Sequence, residues 1–473
     1  MKLTNFKVVI IFLCLTPLMT FAQSSGQRKS DLVVVLIKKY ITEKTPEKIY
    51  ALGSKNYKAS ISEGNLTDFI VKNAYILGKI KASSFISAKK NECKYKLEFE
   101  AGSVELSFSL DQNNKLDKLS FSPFEPVVTK KTALVPSSNP LKSKLDKEVD
   151  TLARKYIQNS NTVGLSIGIL KDGKTYTYGY GTTQKSNGVV PDANTIFEIG
   201  SISKTFTAQL LAYYVNEGKI SLTDPVTKYL PDSVAANSEL QQIKIVNLSN
   251  HTSGLVRLPD NMISKNLEAA NPYKNYTKDL LFSYLKSYKL VSVPGGTYSY
   301  SNIGTGLLGV ILERISGKTY EQLVKEIITD PLKMNSTFQH LTPELAKRFT
   351  KVYNKETKEV KAWDFDVLVG AGGLRSTVND MLIYAANNIE SKNPDLAKAF
   401  ELTHQVTFSK EPMVGLGWHI MKPAADTYYW HNGGTGGSRS FIIININKKT
   451  AVVVLSNSEV ETDSVGVGII EKL

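Results

Sequence analysis

Apolar residues follow different rhythms in successive parts of this chain. Leu32, Val35, Leu36 and Tyr40 recur at helical spacing, so the stretch 31–80 predicts helices at its start. From Cys93 the period becomes two: Tyr95, Leu97 and Phe99, then Val104, Leu106, Phe108 and Leu110. The cluster Asp111-Gln112-Asn113-Asn114 turns the chain into Leu116, Leu119 and Phe121. Helices followed by an antiparallel sheet predict a small α+β domain over residues 23–125. Residues 126–140 carry Pro126, Pro136 and Pro140 with Ser137-Ser138-Asn139 and read as an extended linker. A second domain, 141–473, opens with a helix over 141–158. A hairpin follows, 163–170 and 174–180, around Asp172-Gly173. The middle is helical, and the end returns to strands at 428–431, 438–445 and 450–455 before a helix near 463–472. This pattern predicts one antiparallel five-stranded sheet assembled from both ends of the domain. Helices flank it, and a helical lobe is inserted between its halves.

The first 22 residues stand outside this scheme. Lys2 and Lys7 precede the apolar run 8–15, and Thr20 and Ala22 flank a cut before Gln23. That order reads as a secretory signal peptide. A retained membrane anchor is the alternative, but the run is short for a span. A lipoprotein signal at Cys14 would want a small residue where Leu13 stands. A periplasmic or secreted protein is therefore expected.

Without Cys14, Cys93 is the remaining cysteine, which excludes an internal disulfide, a thiolate zinc cluster and a CxxC pair. His251, His340, His404, His419 and His431 are scattered without HExxH spacing, so neither a metal nor another cofactor is expected. The formal charge is +14, and residues 23–145 hold 21 Lys and Arg against 12 Asp and Glu. On an exported protein this basic segment suggests attraction to an anionic envelope surface. Nucleic acid is a poor partner, because no recognition motif accompanies the charge.

Candidate chemistry concentrates in three segments. In Gly200-Ser201-Ile202-Ser203-Lys204, ahead of an amphipathic run through Leu210, Leu211 and Tyr214, Ser201 falls at a helix N-terminus where free N–H groups favour negative charge. Lys204 rises on the same face, and a lysine whose pKa is lowered by burial can activate a serine hydroxyl. In Pro294-Gly295-Gly296-Thr297-Tyr298-Ser299-Tyr300-Ser301-Asn302 a loop presents Tyr300 and Asn302. A phenol held near cations can ionise and move protons, and an asparagine can bond a substrate amide. In Trp430-His431-Asn432-Gly433-Gly434-Thr435-Gly436-Gly437, His431 offers a proton relay at a strand's end, and the glycines let a substrate backbone approach. A phosphate cradle does not fit, since the Walker lysine is missing and a strand follows.

SxxK, YxN and HxG, in this order, resemble the serine β-lactamases of class C and their DD-peptidase and esterase relatives. The likeness spans about residues 141–473 and extends to Lys219–Pro231, Asn250–Leu255 (NHTSGL) and Ala371–Thr377 (AGGLRST). It implies the β-lactamase/DD-peptidase fold, with Ser201 as nucleophile and Lys204 as its activating partner. Tyr300 would be general base toward Ser201 and general acid toward the leaving group. Asn302 would hold the substrate's side-chain amide, with Asn432 and Gly433 also at the substrate. His431 would stand where the β-lactamases usually have a lysine, and it can be cationic if its surroundings raise its pKa. The N–H groups of Ser201 and Gly434 would form the oxyanion hole. The first domain loosely resembles the NTF2-like domains found beside exported hydrolases.

The implied substrates are β-lactams or D-Ala-D-Ala-like peptides of peptidoglycan, with a carboxylic esterase or D-aminopeptidase as the alternative. A non-catalytic penicillin-binding sensor would be expected to lack Ser201, Lys204 or Tyr300. Two further features carry no catalytic expectation. Gly164-Leu165-Ser166-Ile167-Gly168 matches a nucleophile elbow, but Ser166 sits within an alternating strand. His251, Trp418 and His419 read as packing residues.

Overall fold

The structure is a computed structural model that describes residues 25–89, 92–263, 268–424 and 426–473. The expected signal segment 1–22 lies outside the described residues. Among the described residues no helix is long and apolar enough to cross a membrane. The chain divides into two compact units. The smaller takes in residues up to Ala74 with Ser83–Leu97 and Glu105–Ser122; the larger takes in Tyr75–Ala82, Glu98–Val104 and Pro123–Leu473.

The amino-terminal stretch forms helices α1 (Ser25–Glu43), α2 (Pro46–Ala51), α3 (Lys55–Ser60) and α4 (Glu63–Asn73). Ser54 and Ser62 cap α3 and α4 by accepting the N–H of Tyr57 and Asn65. Four strands follow in spatial order β1-β2-β3-β4: β1 (Ile80–Lys89), β2 (Glu92–Phe99), β3 (Ser103–Leu110) and β4 (Leu116–Pro123). β1 was not foreseen from the sequence. Its side chains are mostly exposed, so it carries no apolar alternation to announce it.

The larger unit begins earlier than the expected boundary at 141. The proline-rich stretch 126–140 is not a free linker. The Ser138 N–H donates to the Gly179 carbonyl at 3.0 Å, and the Gly181 N–H donates to the Pro136 carbonyl at 2.9 Å. Proline favours extended backbone, and an extended segment can lie against the open edge of a sheet. Helix α5 (Lys144–Ile157) starts at a capping box between Ser143 and Asp146.

β5 (Gly164–Lys171) and β6 (Lys174–Gly181) form the hairpin. Short pairs follow at β7 (Phe197–Glu198), β8 (Val352–Tyr353), β9 (Glu359–Val360) and β10 (Arg375–Ser376). The chain ends with β11 (His419–Met421), β12 (Tyr428–Gly434), β13 (Arg439–Asn445) and β14 (Thr450–Ser456). The main antiparallel sheet has order β11-β12-β13-β14-β5-β6. It has six strands rather than five; the added one, β11, is only three residues long. Ser166 lies within β5, buried, its hydroxyl donating to the Asp192 carbonyl.

Between the halves of the sheet run α6 (Ser203–Asn216), α7 (Asp232–Ala235), α8 (Ile245–Ser249) and α9 (Lys278–Ser287). They continue with α10 (Asn302–Ser316), α11 (Tyr320–Leu323), α12 (Asp330–Leu332) and α13 (Pro343–Ala346). The lobe closes with α14 (Val378–Ile389) and α15 (Pro394–His404); α16 (Asp463–Ile470) follows the last strand. Both faces of the sheet are covered, which is why β13 and β14 read as near-continuous apolar runs. Ile442, Ile444, Val453 and Leu455 join the core of the helical lobe. Phe441, Ile443, Val452 and Val454 pack with Val149 and Ile157 of α5 and Val465 and Ile469 of α16. Each such side chain contributes about 1.5–3 kcal/mol by leaving water.

Candidate active site

A sharp change of backbone delivers Ser201. β7 pairs with β10, Gly200 takes φ 49°, and a 3-10 turn over Gly200–Ile202 leads into α6. Glycine is required at 200, because a Cβ there would stand 2.6 Å from the Gly434 nitrogen. Ser203 locks the turn, its Oγ donating to the Gly200 carbonyl at 2.7 Å and accepting the Leu374 N–H at 3.1 Å. Ser201 is thus half-buried at the entry to α6. The helix itself is buried on all sides through residue 212, a core helix rather than the amphipathic one expected.

Lys204 is 1% exposed. Its Nζ stands 3.0 Å from Ser201 Oγ, 2.8 Å from Asn302 Oδ1 and 2.5 Å from the Ala371 carbonyl oxygen. Among the described residues no carboxylate lies within ion-pair distance of it. Burial, reinforced by the charge of Arg257, holds its ammonium well below the usual lysine range. A neutral amine matches these neighbours: two N–H groups serve two obligate acceptors, and the lone pair is left for the serine hydroxyl.

The loop before α10 presents Tyr300. Ser301 caps the helix, its Oγ accepting the Gly304 N–H and donating to the Val256 carbonyl. Buried Asn302 has both ends of its amide engaged, since its Nδ2 donates to the Tyr273 hydroxyl at 2.9 Å. The Tyr300 phenol is close enough to the Ser201 hydroxyl to feel its dipole, which favours the ionised form. Lys204 Nζ and Arg257 Cζ lie 4.7 and 5.0 Å from the centroid of the Tyr300 ring. Burial nevertheless pushes the phenol above its ordinary range, outweighing the Ser201 hydroxyl and the Arg257 charge. The ionised form that the sequence reading allowed for Tyr300 is thus disfavoured.

β12 runs on through Gly434 instead of ending at His431, so residues alternate between two faces. His431 pairs with Ile442 on the lobe face, and Asn432 pairs with Phe441 on the opposite face. His431 is buried, its ring 6.4 Å from that of Tyr300 and 5.2 Å from that of His419. Its Nδ1 must carry the proton, since it lies 2.6 Å from the Asn432 carbonyl, which can only accept. Burial first, then His419 and Lys204, push the imidazole well below its usual range. The cationic histidine entertained from the sequence is thus disfavoured.

Asn432 is a clear correction. Its amide donates to Asp463 at the start of α16, away from Ser201, because strand alternation turns it to the other face. Gly433 lies against the nucleophile's backbone, where a Cβ would meet the Ile199 carbonyl at 2.1 Å and the Ser201 nitrogen at 3.0 Å. The amides of Ser201 and Gly434 are therefore neighbours.

Three residues escaped the sequence reading. His251 touches Tyr300, with ring centroids 4.4 Å apart, and forms a wall of the site as well as packing. Glu198, 3% exposed, accepts the Trp363 N–H at 2.6 Å and the hydroxyls of Thr435 and Ser438 at 2.6 and 3.2 Å. It ties the β12–β13 turn to the strand before Ser201. Arg257 follows NHTSGL by two positions, and its isolated positive charge was the available signal. His419 packs on Trp430 and bonds the Tyr298 hydroxyl. Among the described residues no group of three or more His, Cys, Asp or Glu is placed to hold a metal.

A helical lobe inserted in an antiparallel sheet, with serine, lysine and tyrosine meeting at the junction, defines a serine hydrolase of the β-lactamase/DD-peptidase type. The family model described as Beta-lactamase matches residues 149–470, and the chain belongs to that family. It is 26% identical over 343 residues to a beta-lactamase of Pseudomonas fluorescens, covering 65% of this chain and 92% of that protein. It is 27% identical over 328 residues to the D-alanyl-D-alanine-carboxypeptidase/endopeptidase AmpH of Escherichia coli (strain K12), covering 66% and 83%. A solved class C beta-lactamase superposes with a TM-score of 0.64 at 27% identity, covering 71% of this chain and 98% of that one.

Proposed function

We propose that the protein cleaves β-lactams or D-Ala-D-Ala-like peptides through an acyl-enzyme on Ser201. The observation that carries this reading is buried Lys204, held 3.0 Å from Ser201 Oγ with no carboxylate within ion-pair distance among the described residues and its ammonium pushed well below the usual lysine range. Neutral Lys204 takes the Ser201 proton as Oγ attacks the carbonyl carbon. The N–H groups of Ser201 and Gly434 receive the developing oxyanion. The bond to the leaving group breaks as the Tyr300 phenol protonates it, and the Lys204 ammonium returns a proton to Tyr300. Water then releases the acyl group from Ser201 by the reverse use of the same groups. Asn302 orients Lys204 and borders the acyl side of the site.

A carboxylic esterase or D-aminopeptidase is the second reading, and the uncharged His431 favours it, since no permanent cation stands on β12 to hold a leaving-group carboxylate. The test is incubation with a chromogenic cephalosporin and a fluorescent penicillin, followed by turnover and intact mass. Rapid colour with a fleeting adduct identifies a β-lactamase, and a lasting Ser201 adduct a penicillin-binding DD-peptidase. Acylation by short esters with neither signal identifies the second reading. Retained hydrolysis in Ser201→Ala would refute the mechanism. The run at 8–15 supports a periplasmic or secreted enzyme, and the basic segment 23–125 supports its attraction to the anionic envelope.

A further inference from the structure

Arg257 has no part in the hydrolytic steps beyond the charge that its guanidinium exerts on Lys204. Its backbone is pinned at the first turn of α10, where its carbonyl accepts the N–H of Asn302 at 3.0 Å and of Ile303 at 3.4 Å. Val256 is fixed beside it, donating its N–H to the Tyr288 hydroxyl and accepting the Ser301 hydroxyl. The side chain is exposed, yet its Cζ comes 5.0 Å from the centroid of the Tyr300 ring. Arg154, Arg375 and Arg439 each have a carboxylate partner, and Arg314 and Arg348 donate to carbonyl or hydroxyl oxygens. Among the described residues Arg257 has no carboxylate within ion-pair distance. A guanidinium on an anchored backbone at the rim of a reaction centre, without a counter-ion among the described residues, offers the paired donors that a carboxylate matches with two parallel hydrogen bonds.

The two flanks of Ser201 differ in charge. On the β12 flank stand His431 and His419, both held in the uncharged form by burial. At the start of α10 stand Asn302, Tyr273 and Arg257, and the Arg257 charge is felt at Tyr273 and Lys204 as well as at Tyr300, Tyr298 and His251. The permanent cation thus lies beside Asn302 rather than on the strand.

We infer that Arg257 reads a carboxylate on the acyl group of the substrate, so that the enzyme selects acidic acyl donors. This rests on the acyl-enzyme reading above, in which Asn302 borders the acyl side. It places anion recognition on the half of the substrate that stays on Ser201, whatever the departing half carries.

Four chromogenic esters test it: butyryl or mono-adipyl groups, each on 4-nitrophenol or on 5-hydroxy-2-nitrobenzoate. In the full chain the adipyl esters should exceed the butyryl esters in kcat/KM by roughly tenfold to a hundredfold, the range of one charged hydrogen-bonded pair, mainly through KM. Arg257→Ala should bring that ratio close to one, and Arg257→Lys, which keeps the charge but not the fork, should restore part of it. Thermal melting of both variants checks that the fold is kept. An adipyl-to-butyryl ratio unchanged in Arg257→Ala overturns the inference. So does a loss that falls on the leaving-group carboxylate instead. Hydrolysis of the four esters that is retained in Ser201→Ala overturns the acyl-enzyme reading, and this inference with it.

Discussion

His251 grips the loop on both sides of Tyr300. Its carbonyl accepts the Ser299 N–H at 2.7 Å, its Nδ1 accepts the Ser301 N–H at 3.3 Å, and its ring stacks obliquely 4.4 Å from the phenol. An Nδ1 that accepts must be unprotonated, and burial holds this imidazole well below its usual range. His251 is also in the left-handed region, at φ 61°, so two neighbours of Tyr300 hang on one strained position.

His251→Ala should therefore misplace Tyr300 without touching substrate. Steady-state kinetics should show kcat lowered about tenfold to a hundredfold with KM changed little, as expected when a proton donor shifts by a fraction of an ångström. His251→Asn, which tolerates the backbone and keeps a short acceptor, should recover part of the loss. An equal recovery by His251→Leu would point to packing alone.

Lys204 couples activity to stability. With its folded-state pKa below the unfolded value near 10.5, the unfolded chain binds one more proton throughout the interval between them. Stability from this group therefore rises with pH across that interval, by about 1.4 kcal/mol per unit, and is lost as pH falls toward the lowered value. Lys204→Met has no such proton. Denaturant titrations at several pH values should show a steeper rise for the wild type than for Lys204→Met. The inactive variant should be the more stable of the two near neutrality.

Residues 432 and 433 should behave oppositely. Asn432→Ala loses a bond to Asp463 on the far face, so it should cost about 1 kcal/mol in chemical denaturation and leave acylation rates within about twofold. Gly433→Ala forces a methyl against the Ile199 carbonyl. It should drive β12 away from Ser201 and reduce acylation by about a hundredfold or more. Equal kinetic penalties at the two sites would contradict the register of β12.

Glu198→Ala should be costly in both respects. It leaves the Trp363 N–H and the Thr435 and Ser438 hydroxyls without their shared acceptor, at a cost of about 2 kcal/mol or more. It also frees the turn that follows Gly434. Differential scanning calorimetry and acylation kinetics should register the two losses together.

Periodicity exposed most of the fold, and its failures have local causes. The strands β13 and β14 announced themselves because each alternates between two apolar layers, and β5 and β6 because Asp172-Gly173 joins two strand-like runs, of which β6 turns Tyr176, Tyr178 and Tyr180 to one layer. β1 and β11 did not: the first exposes most of its side chains, and the second is too short for a period to register. The segment 126–140 looked like a linker because proline signals extension, whether the chain is free or bonded along a sheet edge. Ser201, Lys204, Tyr300 and Asn302 were legible from spacing because three of them sit on two helix beginnings and Tyr300 stands just before the cap of the second. Arg257, His251 and Glu198 belong to the site through contacts between segments far apart in sequence, which no local pattern encodes. The protonation states of Tyr300 and His431 depend on burial, and only the packed structure reveals that.

The sheet also sets the order in which this machinery can come into being. β5 finds its partner in β14, with Ile167 opposite Val454 and Leu165 opposite Ser456, so nearly the whole larger unit must be synthesised before its sheet can close. Such long-range pairing makes folding slow, and the half-built lobe would meanwhile expose apolar faces meant for the sheet. Gly434 reaches Ser201 only through β12, whose neighbour β13 leans on β14. A nascent chain that lacks its last strand therefore has a serine and a lysine but no anion-binding partner opposite them, and the nucleophile stays unarmed until synthesis is all but finished.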